Sequence, residues 1–574
     1  KKLIKSESPP YFSHLCKNKG KFKEDAIFLK ETLDEFLQTE RLTRKLYTYA
    51  HLCHDEDIAD NTSKTHFEKI LLAYHLLSQE ISWIEPEILS LDESTLQQYM
   101  KSDVLKDYHF YLEKLLRLKP HVLPEREEAL LAMAEQALVT SQKAFSAIND
   151  ADFQFPDILD SDEKTHPLTH AMYGMHIRSQ DRTLRKNAFL TMHNKYREFE
   201  NSLTELLSGQ TQKHLFCTRA RNYATCLDSA LFSKNIDSDV YHSLIGAVHD
   251  NISVLHEYMG LRKRLLGLDE LHMYDLYVPT ISQFDKKYTY QEAEDLVIES
   301  LQPLGEEYVE TVRKGLKEDR WVDRYENKNK RSGAYSSGCY DSMPYVLMNF
   351  RGMLRDVFTL AHEVGHSMHS YLSHKHQPYV YSDYAIFVAE VASTFNEELL
   401  MNTLLAKASS DTERAFLINE KIEDIRATFF RQTMFAEFEL LIHTLAEQGQ
   451  SITPELLKAE FMHLNKFYFG SNVFIDPEVA VEYARIPHFY YNFYVFQYAT
   501  GISAALALSH KVMTEGTPAV KKYLNFLQSG SSDYPIELLS KAGVDMRSKA
   551  PVTNTLTKFS TLVRELDRLT KNKN

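Results

Sequence analysis

The spacing of apolar residues predicts a chain built mainly from helices. Between residues 20 and 145, four consecutive segments place apolar residues every three to four positions with charged residues between them, which is the pattern of helices with one buried face. The same spacing returns at 353–372, 384–400, 412–447 and 452–468. We therefore predict a mostly α-helical protein with an N-terminal helical lobe at 1–150 and a catalytic domain at 151–574.

Two segments depart from the helical pattern. Residues 152–170 alternate apolar positions about an Asp/Ser turn, which predicts a β-hairpin at the boundary between the two parts of the chain. Residues 345–350, just before the helix predicted at 353–372, are rich in β-forming side chains. We expect a small β element beside that helix.

The helix predicted at 353–372 carries two histidines four residues apart. His362 and His366 fall on the same side of the helix, because successive residues are rotated by about 100°. Both imidazoles can therefore reach one ion. With Glu363 they form the H-E-x-x-H pattern, in which two neutral imidazoles bind zinc and the glutamate is the general base toward the attacking water.

A catalytic zinc ion needs a third protein ligand. The longer pattern H-E-x-x-H-x-x-G-x-x-H is excluded, because His369 and Leu372 occupy its glycine and histidine positions. Glu390 is the better candidate, since it is the only charged residue in the first half of the helix predicted at 384–400. The 23 residues between His366 and Glu390 allow one helix to end and a second to return beside it.

Further polar residues follow Glu390 on the same helix face. Ser393, Thr394 and Glu397 lie three, four and seven positions later, where hydrogen bonds would orient the metal ligands. The predicted site holds one zinc ion between three ligands with a base beside it, namely His362, His366, Glu390 and Glu363.

A tyrosine-rich segment at 481–501 surrounds His488. Aromatic stripes of this kind usually belong to the core. Beside a zinc site, however, neutral O–H and N–H groups are what a tetrahedral oxyanion requires.

Several motifs of this chain occur together in one known family. They include K-R-S-G-A-Y at 330–335, L-A-H-E-V-G-H-S-M-H-S at 360–370, E-V-A-S-T-F-N-E at 390–397, A-E-F-E at 436–439 and R-I-P-H-F-Y-Y at 485–491. With these motifs the chain resembles the thimet-oligopeptidase-like zinc metallopeptidases, and within them the oligoendopeptidase F branch.

The resemblance implies a two-lobed helical fold with a deep central channel, and a cytosolic enzyme that cuts short unstructured peptides. It also implies that His488 binds substrate and that Tyr491, or else Tyr498, stabilises the oxyanion. Relatives outside this branch carry a glycine-rich loop between that histidine and its tyrosines, whereas here His488 runs directly into Phe489, Tyr490 and Tyr491.

The predicted reaction is hydrolysis of an internal peptide bond. In zinc peptidases an edge strand beside the metal pairs with the peptide backbone, and the 345–350 segment is placed either for that role or for a core hairpin. A dipeptidyl carboxypeptidase is one alternative, with Arg485 or Lys466 holding the substrate's terminal carboxylate. A non-catalytic helical scaffold with a structural zinc is the other, disfavoured because structural sites usually have four protein ligands.

Composition narrows the range of partners and compartments. The net charge of −14 and the pI near 6.0 argue against nucleic acid as a partner, and we expect the basic cluster at 328–331 to be solvated. The apolar run at 489–507 carries polar residues and reads as a buried helix rather than a membrane span. Five scattered cysteines predict reduced thiols in a cytoplasmic protein. Nothing in the pattern indicates an oligomeric state.

Overall fold

A computed structural model describes residues 12–281 and 286–571. The chain is mostly α-helical, as the apolar spacing predicts. The helices, in chain order, are α1 (Ala26–Glu56), α2 (Asn61–Ile81), α3 (Ile84–Ser90), α4 (Glu93–Met100), α5 (His109–Leu118), α6 (Glu125–Leu138), α7 (Thr140–Ala147), α8 (His170–His176), α9 (Arg182–Glu198), α10 (Glu200–Ala220), α11 (Cys226–Phe232), α12 (Ser238–Asp250), α13 (Ser253–Leu265), α14 (Tyr290–Ser300), α15 (Glu306–Lys317), α16 (Leu354–His376), α17 (Ile386–Lys407), α18 (Asp411–Ile425), α19 (Arg431–Glu447), α20 (Pro454–Phe469), α21 (Phe496–Glu515), α22 (Thr517–Leu527), α23 (Pro535–Lys541) and α24 (Ala550–Lys571).

Strands are short and few in the described part of the chain. They are β1 (Ile158–Leu159), β2 (Thr165–His166), β3 (Leu271–His272), β4 (Val322–Asp323), β5 (Tyr335–Ser337), β6 (Tyr345–Leu347) and β7 (Val473–Phe474). The antiparallel pair of β1 and β2 confirms the hairpin predicted at 152–170, and β3 pairs in parallel with β7.

The chain forms two compact units, each assembled from three separate stretches. The first contains residues 12–125, 286–400 and 508–543, and the second contains residues 126–281, 401–507 and 544–571. These units are not consecutive halves of the chain, because distant helices return to pack in the same unit. The division into a lobe at 1–150 and a catalytic domain at 151–574 stays a prediction.

The small β element predicted beside the 353–372 helix is a three-stranded sheet in the order β4, β6, β5. β6 pairs in parallel with β4 and antiparallel with β5. Of the two roles left open for 345–350, the edge strand is wrong and the hairpin is present: β6 pairs antiparallel with β5, and the two-residue strand β4 occupies its second side. β4 and β5 are the two outer strands of the sheet, and the side of β5 that is turned away from β6 has no strand beside it among the described residues.

Helix α16 has the ends that its sequence requires. The Asp356 carboxylate accepts the backbone N–H groups of Arg351 and Met353, which satisfies free donors at the N-terminal end. The C-terminal end comes at Gln377, whose backbone is extended, because a residue before proline disfavours the helical conformation. Between these ends, its predicted apolar face is fully buried, with Val357, Leu360, Val364 and Met368 at 0% exposure.

No helix within residues 12–281 and 286–571 is both long and apolar enough to cross a membrane. The apolar run at 489–507 instead enters α21, whose first turns are buried. All five cysteines are free thiols.

Candidate active site

Helices α16 and α17 bring three potential metal ligands together. The two Nε2 atoms of His362 and His366 lie 3.2 Å apart, and a carboxylate oxygen of Glu390 lies 3.3 Å and 3.5 Å from them respectively. Four-coordinate zinc with bonds of about 2.0–2.1 Å places neighbouring ligand atoms about 3.3–3.4 Å apart. The triangle formed by these three atoms therefore has the size that a tetrahedral zinc ion requires.

The triangle is open on one side. The side chains of His362, His366 and Glu390 are 28%, 17% and 47% exposed. A structural metal site is closed by four protein ligands, whereas a catalytic site leaves a position for water or substrate. Among the described residues, these three form the one group of His, Cys, Asp and Glu side chains that could hold an ion.

The close approach of the two helices depends on Gly365. A Cβ atom built at this position would lie 2.6 Å from the carbonyl oxygen of Ala392 and 2.6 Å from the Cα of Ser393. Both atoms belong to the backbone of α17, so no side-chain rotation could relieve the overlap. Glycine within the H-E-x-x-H motif thus lets α17 bring Glu390 to the two imidazoles.

Two further residues orient the ligands, at the positions that the sequence predicts. Glu397 lies 2.5 Å from Nδ1 of His362 and accepts a hydrogen bond from it, which turns Nε2 of the same ring toward the other two ligands as the atom that would bind a metal. Ser393 donates to Glu390 Oε2 at 3.0 Å. The ligands are therefore held in position before any ion binds.

The electrostatics of this group favour a cation. Burial lowers the pKa of His362, but hydrogen bonds to Glu390 and Glu397 outweigh it and raise the pKa to about 10. Burial also opposes ionisation of Glu390, yet the two imidazoles bring its pKa well below its usual range. The carboxylates around the two imidazoles make this group a favourable place for a positive charge. Imidazole nitrogens and carboxylate oxygens are ligands that zinc accepts.

Glu363 lies beside the ligands and against the sheet. Its side chain is 6% exposed, and burial raises its pKa above the usual range while the imidazoles of His362 and His366 lower it. The backbone N–H of Ser336, on the edge strand β5, donates to its carboxylate. Ser336 Oγ also lies 2.8 Å from Ser367 Oγ on α16. Both contacts place the predicted base next to β5.

The other predicted catalytic residues lie in the second unit. Tyr498 is close to His488, with its hydroxyl 3.4 Å from Nε2, and the ring centroids of Tyr491 and Tyr494 lie 5.8 Å and 6.2 Å from that of His488. Burial lowers the pKa of His488, so its imidazole is neutral at pH 7. The structure thus groups His488 with hydroxyl donors, as an oxyanion-binding role requires.

Not every tyrosine in this segment belongs to that group. Tyr490 is 5% exposed and its ring stacks on Phe145 at 4.5 Å, and Tyr483 is 1% exposed. Tyr491, by contrast, is 48% exposed. The tyrosine-rich segment therefore contains both core residues and accessible hydroxyl groups.

The turn that carries Tyr491 and Tyr494 has an unusual backbone. Asn492 and Phe493 both have positive φ, 50° and 58°, which for a bulky residue such as Phe costs about 1–3 kcal/mol and requires support from its surroundings. The support comes from Glu439, whose buried carboxylate accepts the N–H of Phe493 at 2.6 Å.

The cations considered for a terminal carboxylate are differently placed. Arg485 stacks over the ring of Tyr173 at 4.8 Å and lies 3.5 Å from the buried carboxylate of Glu482. Lys466 is exposed at the end of α20. Arg485 is thus already paired within the protein, which argues against Arg485 as the cation that holds a terminal carboxylate.

The expectation that the basic cluster at 328–331 is solvated holds for Lys328 and Arg331, which are exposed, but is wrong for Lys330. The Lys330 side chain is fully buried and donates to three backbone carbonyl oxygens, those of Asp323, Tyr325 and Met348. An ammonium group has three donors and can satisfy all of them on backbone oxygens. The positions of charged residues along the sequence do not reveal that a lysine is buried in this way.

Comparison with known proteins identifies the family of this chain. The family model "Peptidase family M3" matches residues 175–558, and "Oligopeptidase F" matches residues 87–155. The chain belongs to peptidase family M3. Oligopeptidase PepF of Bacillus subtilis (strain 168) is 46% identical over 560 residues, which cover 97% of this chain and 83% of the relative.

Solved structures show the same relationship. A structure from Chlamydophila abortus described as a peptidase superposes with a TM-score of 0.94 at 42% identity, over 99% of this chain and 95% of the other. Oligoendopeptidase-F from Enterococcus faecium gives a TM-score of 0.77 at 34% identity, over 98% and 96%. The mostly α-helical fold and the assignment to the oligoendopeptidase F branch are confirmed. The family identifies the protein as a metalloendopeptidase acting on peptides.

Proposed function

We propose that this M3 peptidase is a zinc-dependent enzyme that hydrolyses internal bonds of short, unstructured peptides, with Glu363 as the general base. The observation that carries the proposal is the triangle of His362, His366 and Glu390, with edges of 3.2, 3.3 and 3.5 Å and Glu363 next to it. Its dimensions fit one zinc ion, and its open side leaves room for a substrate.

The residues of this chain have separate tasks in the proposed reaction. Zinc, when bound, supplies a Lewis acid that polarises the scissile carbonyl and acidifies a water molecule. Glu363 takes a proton from the attacking water and delivers it to the leaving amine. His488 and Tyr491, with Tyr498 as the second candidate, donate hydrogen bonds to the oxyanion.

The edge strand β5 is the proposed binding site for the peptide backbone. β5 pairs with β6 on one side only and has no other strand beside it among the described residues. An extended peptide can add to such an edge through main-chain hydrogen bonds. This assignment replaces β6, whose two sides are both paired.

A panel of quenched-fluorescence peptides tests the proposal. Peptides of roughly 5–20 residues should be cut internally, while compact folded proteins, whose unfolding costs about 5–15 kcal/mol, should survive. A chelator should abolish cleavage and added zinc should restore it. Amidation of the peptide C-terminus should leave the cut unchanged, whereas a dipeptidyl carboxypeptidase would lose its substrate.

We also propose that the protein works in the cytoplasm. The support is chemical: all five cysteines are free thiols, which is typical of reducing compartments. Fractionation of the source cells with a specific antibody would test this location.

A further inference from the structure

Asp55, at the C-terminal end of α1, is a fully buried carboxylate with four polar partners. Two belong to its own helix: His51 Nε2 at 3.0 Å and His54 Nδ1 at 2.9 Å. The other two come from β5 and the segment just before it: the Tyr335 hydroxyl at 3.0 Å and Arg331 Nη1 at 3.1 Å. The backbone oxygen of Asp55 also accepts the N–H of Arg331 at 2.9 Å.

This cluster keeps Asp55 charged. Burial acts to raise its pKa, but hydrogen bonds and the neighbouring positive charges outweigh burial and hold the pKa below its usual value. A buried carboxylate is tolerated only when its oxygens are satisfied. The geometry of Arg331 and Tyr335 around it is therefore narrowly defined. His51 and His54 contact the same carboxylate.

Asp55, Thr48 and Arg41 of α1 each hydrogen-bond to the β5–β6 hairpin. Arg41 Nε lies 2.7 Å from the Asp341 carboxylate, and Thr48 Oγ1 lies 3.5 Å from the Gly338 carbonyl oxygen. Arg41, Thr48 and Asp55 are each seven residues apart and so lie along one side of the helix, with a rise of about 10.5 Å between neighbours. The helix and the hairpin run in opposite directions here, because the contacts made in order from Arg41 to Asp55 reach Asp341 first and Tyr335 last.

Neighbouring side chains of β5 connect it to two different helices. Tyr335 contacts α1 through Asp55, and the next residue, Ser336, contacts α16 through Ser367. Successive side chains of a strand point to opposite faces of the sheet, so α1 and the metal-binding helix hold β5 from its two faces. The backbone of Ser336 also hydrogen-bonds to Glu363 on α16. A displacement of Tyr335 would therefore move the backbone that faces the base.

We propose that Asp55 is a positioning residue for peptide binding: through Tyr335 and Arg331 it holds the edge strand β5 in the position in which an extended substrate can pair with it. This inference rests on the proposed function, in which β5 binds the peptide backbone. The N-terminal helix α1 thereby contributes to substrate recognition without touching the substrate.

A matched pair of Tyr→Phe variants tests the inference. Tyr335→Phe removes the hydroxyl that donates to Asp55 and keeps the ring. Tyr108→Phe is the control, because its hydroxyl lies 2.5 Å from Asp34 on the same helix, far along α1 from the hairpin. Both variants are made in a Glu363→Gln background, which keeps an acceptor for Ser336 and prevents cleavage. Asp55→Asn serves as the stronger perturbation if it folds.

The measured quantity is the dissociation constant of a fluorescein-labelled peptide of about nine residues that the wild-type enzyme cleaves. It is compared with versions that each carry one N-methylated backbone amide, because N-methylation removes a main-chain donor. The reference protein carries Glu363→Gln alone, and the N-methylation penalty is the ratio of its dissociation constants for the methylated and unmethylated peptides. We expect Tyr335→Phe to weaken binding of the unmethylated peptide about tenfold and to reduce this penalty. Zinc content and thermal unfolding report the integrity of each variant.

Three results would overturn the inference, and they have different meanings. Equal affinities for Tyr335→Phe and Tyr108→Phe, with an N-methylation penalty present in the reference protein, would mean that β5 binds peptide without help from Asp55. An undiminished penalty in Tyr335→Phe would show that its weaker binding does not arise at the strand edge. The absence of any penalty in the reference protein would refute strand pairing itself, and with it this part of the proposed function.

Discussion

Replacing Gly365 with alanine should separate α16 from α17 and weaken metal binding. The new Cβ would lie 2.6 Å from two backbone atoms of α17, whereas ordinary contact begins at 3.4 Å, so the helices must move apart by about 0.8 Å. Metal sites tolerate shifts of about 0.2 Å. We therefore expect zinc affinity to fall about 10–100-fold, as it does when ligand-orienting contacts are lost, and the free energy of unfolding to fall by about 1–3 kcal/mol.

Zinc content after dialysis against buffers of fixed free zinc concentration, measured by mass spectrometry, gives the affinity directly. Gly174→Ala on α8 is the matched control, because a Cβ built there meets nothing within 4 Å. The reasoning fails if Gly365→Ala binds zinc as tightly as Gly174→Ala, since α17 would then deliver Glu390 without a close helix crossing.

Three further predictions concern Glu397, Tyr491 and Glu439. Glu397→Gln should lower zinc affinity about 10–100-fold by releasing Nδ1 of His362, measured by the same dialysis. Tyr491→Phe should reduce kcat about 10²–10³-fold with little change in KM, while Tyr490→Phe in the core should not; an unchanged kcat for Tyr491→Phe would favour another tyrosine. Burial raises the pKa of Glu439 from its ordinary 4.5 to about 8. Between pH 4.5 and pH 8 the native state therefore holds a proton that the unfolded state has lost, and the free energy of unfolding falls as the pH rises through this range. Glu439→Gln should flatten this dependence of the thermal unfolding temperature on pH, and an unchanged dependence would place the ionisation elsewhere.

The parts of the site that lie close together along the chain could be predicted from the sequence. The i, i+4 spacing of His362 and His366 and the apolar ladder around them define the metal helix, and an acid on the next apolar helix identifies Glu390. Helical periodicity also places Ser393 and Glu397 on the correct face. These inferences need only the geometry of single helices.

Contacts between distant segments could not be predicted in this way. The pairing of β4 beside β6 involves only two residues, too few to give a periodic signal, and so the sequence could not decide between an edge strand and a hairpin at 345–350. Asp55 gives no local sign that it meets Tyr335, which lies 280 positions away. Gly365 did carry a signal, because an isolated glycine inside a helix disfavours that helix, and such a glycine marks a close backbone approach.

Comparison of Glu363→Gln with Glu390→Ala tests the central assignment most directly. Glu363 is proposed to act on the water and Glu390 on the metal, so Glu363→Gln should bind one zinc ion per chain but lose hydrolysis of a quenched peptide. Glu390→Ala should lose both zinc and activity. A zinc-free Glu363→Gln protein, or a fully loaded and active Glu390→Ala protein, would contradict the account.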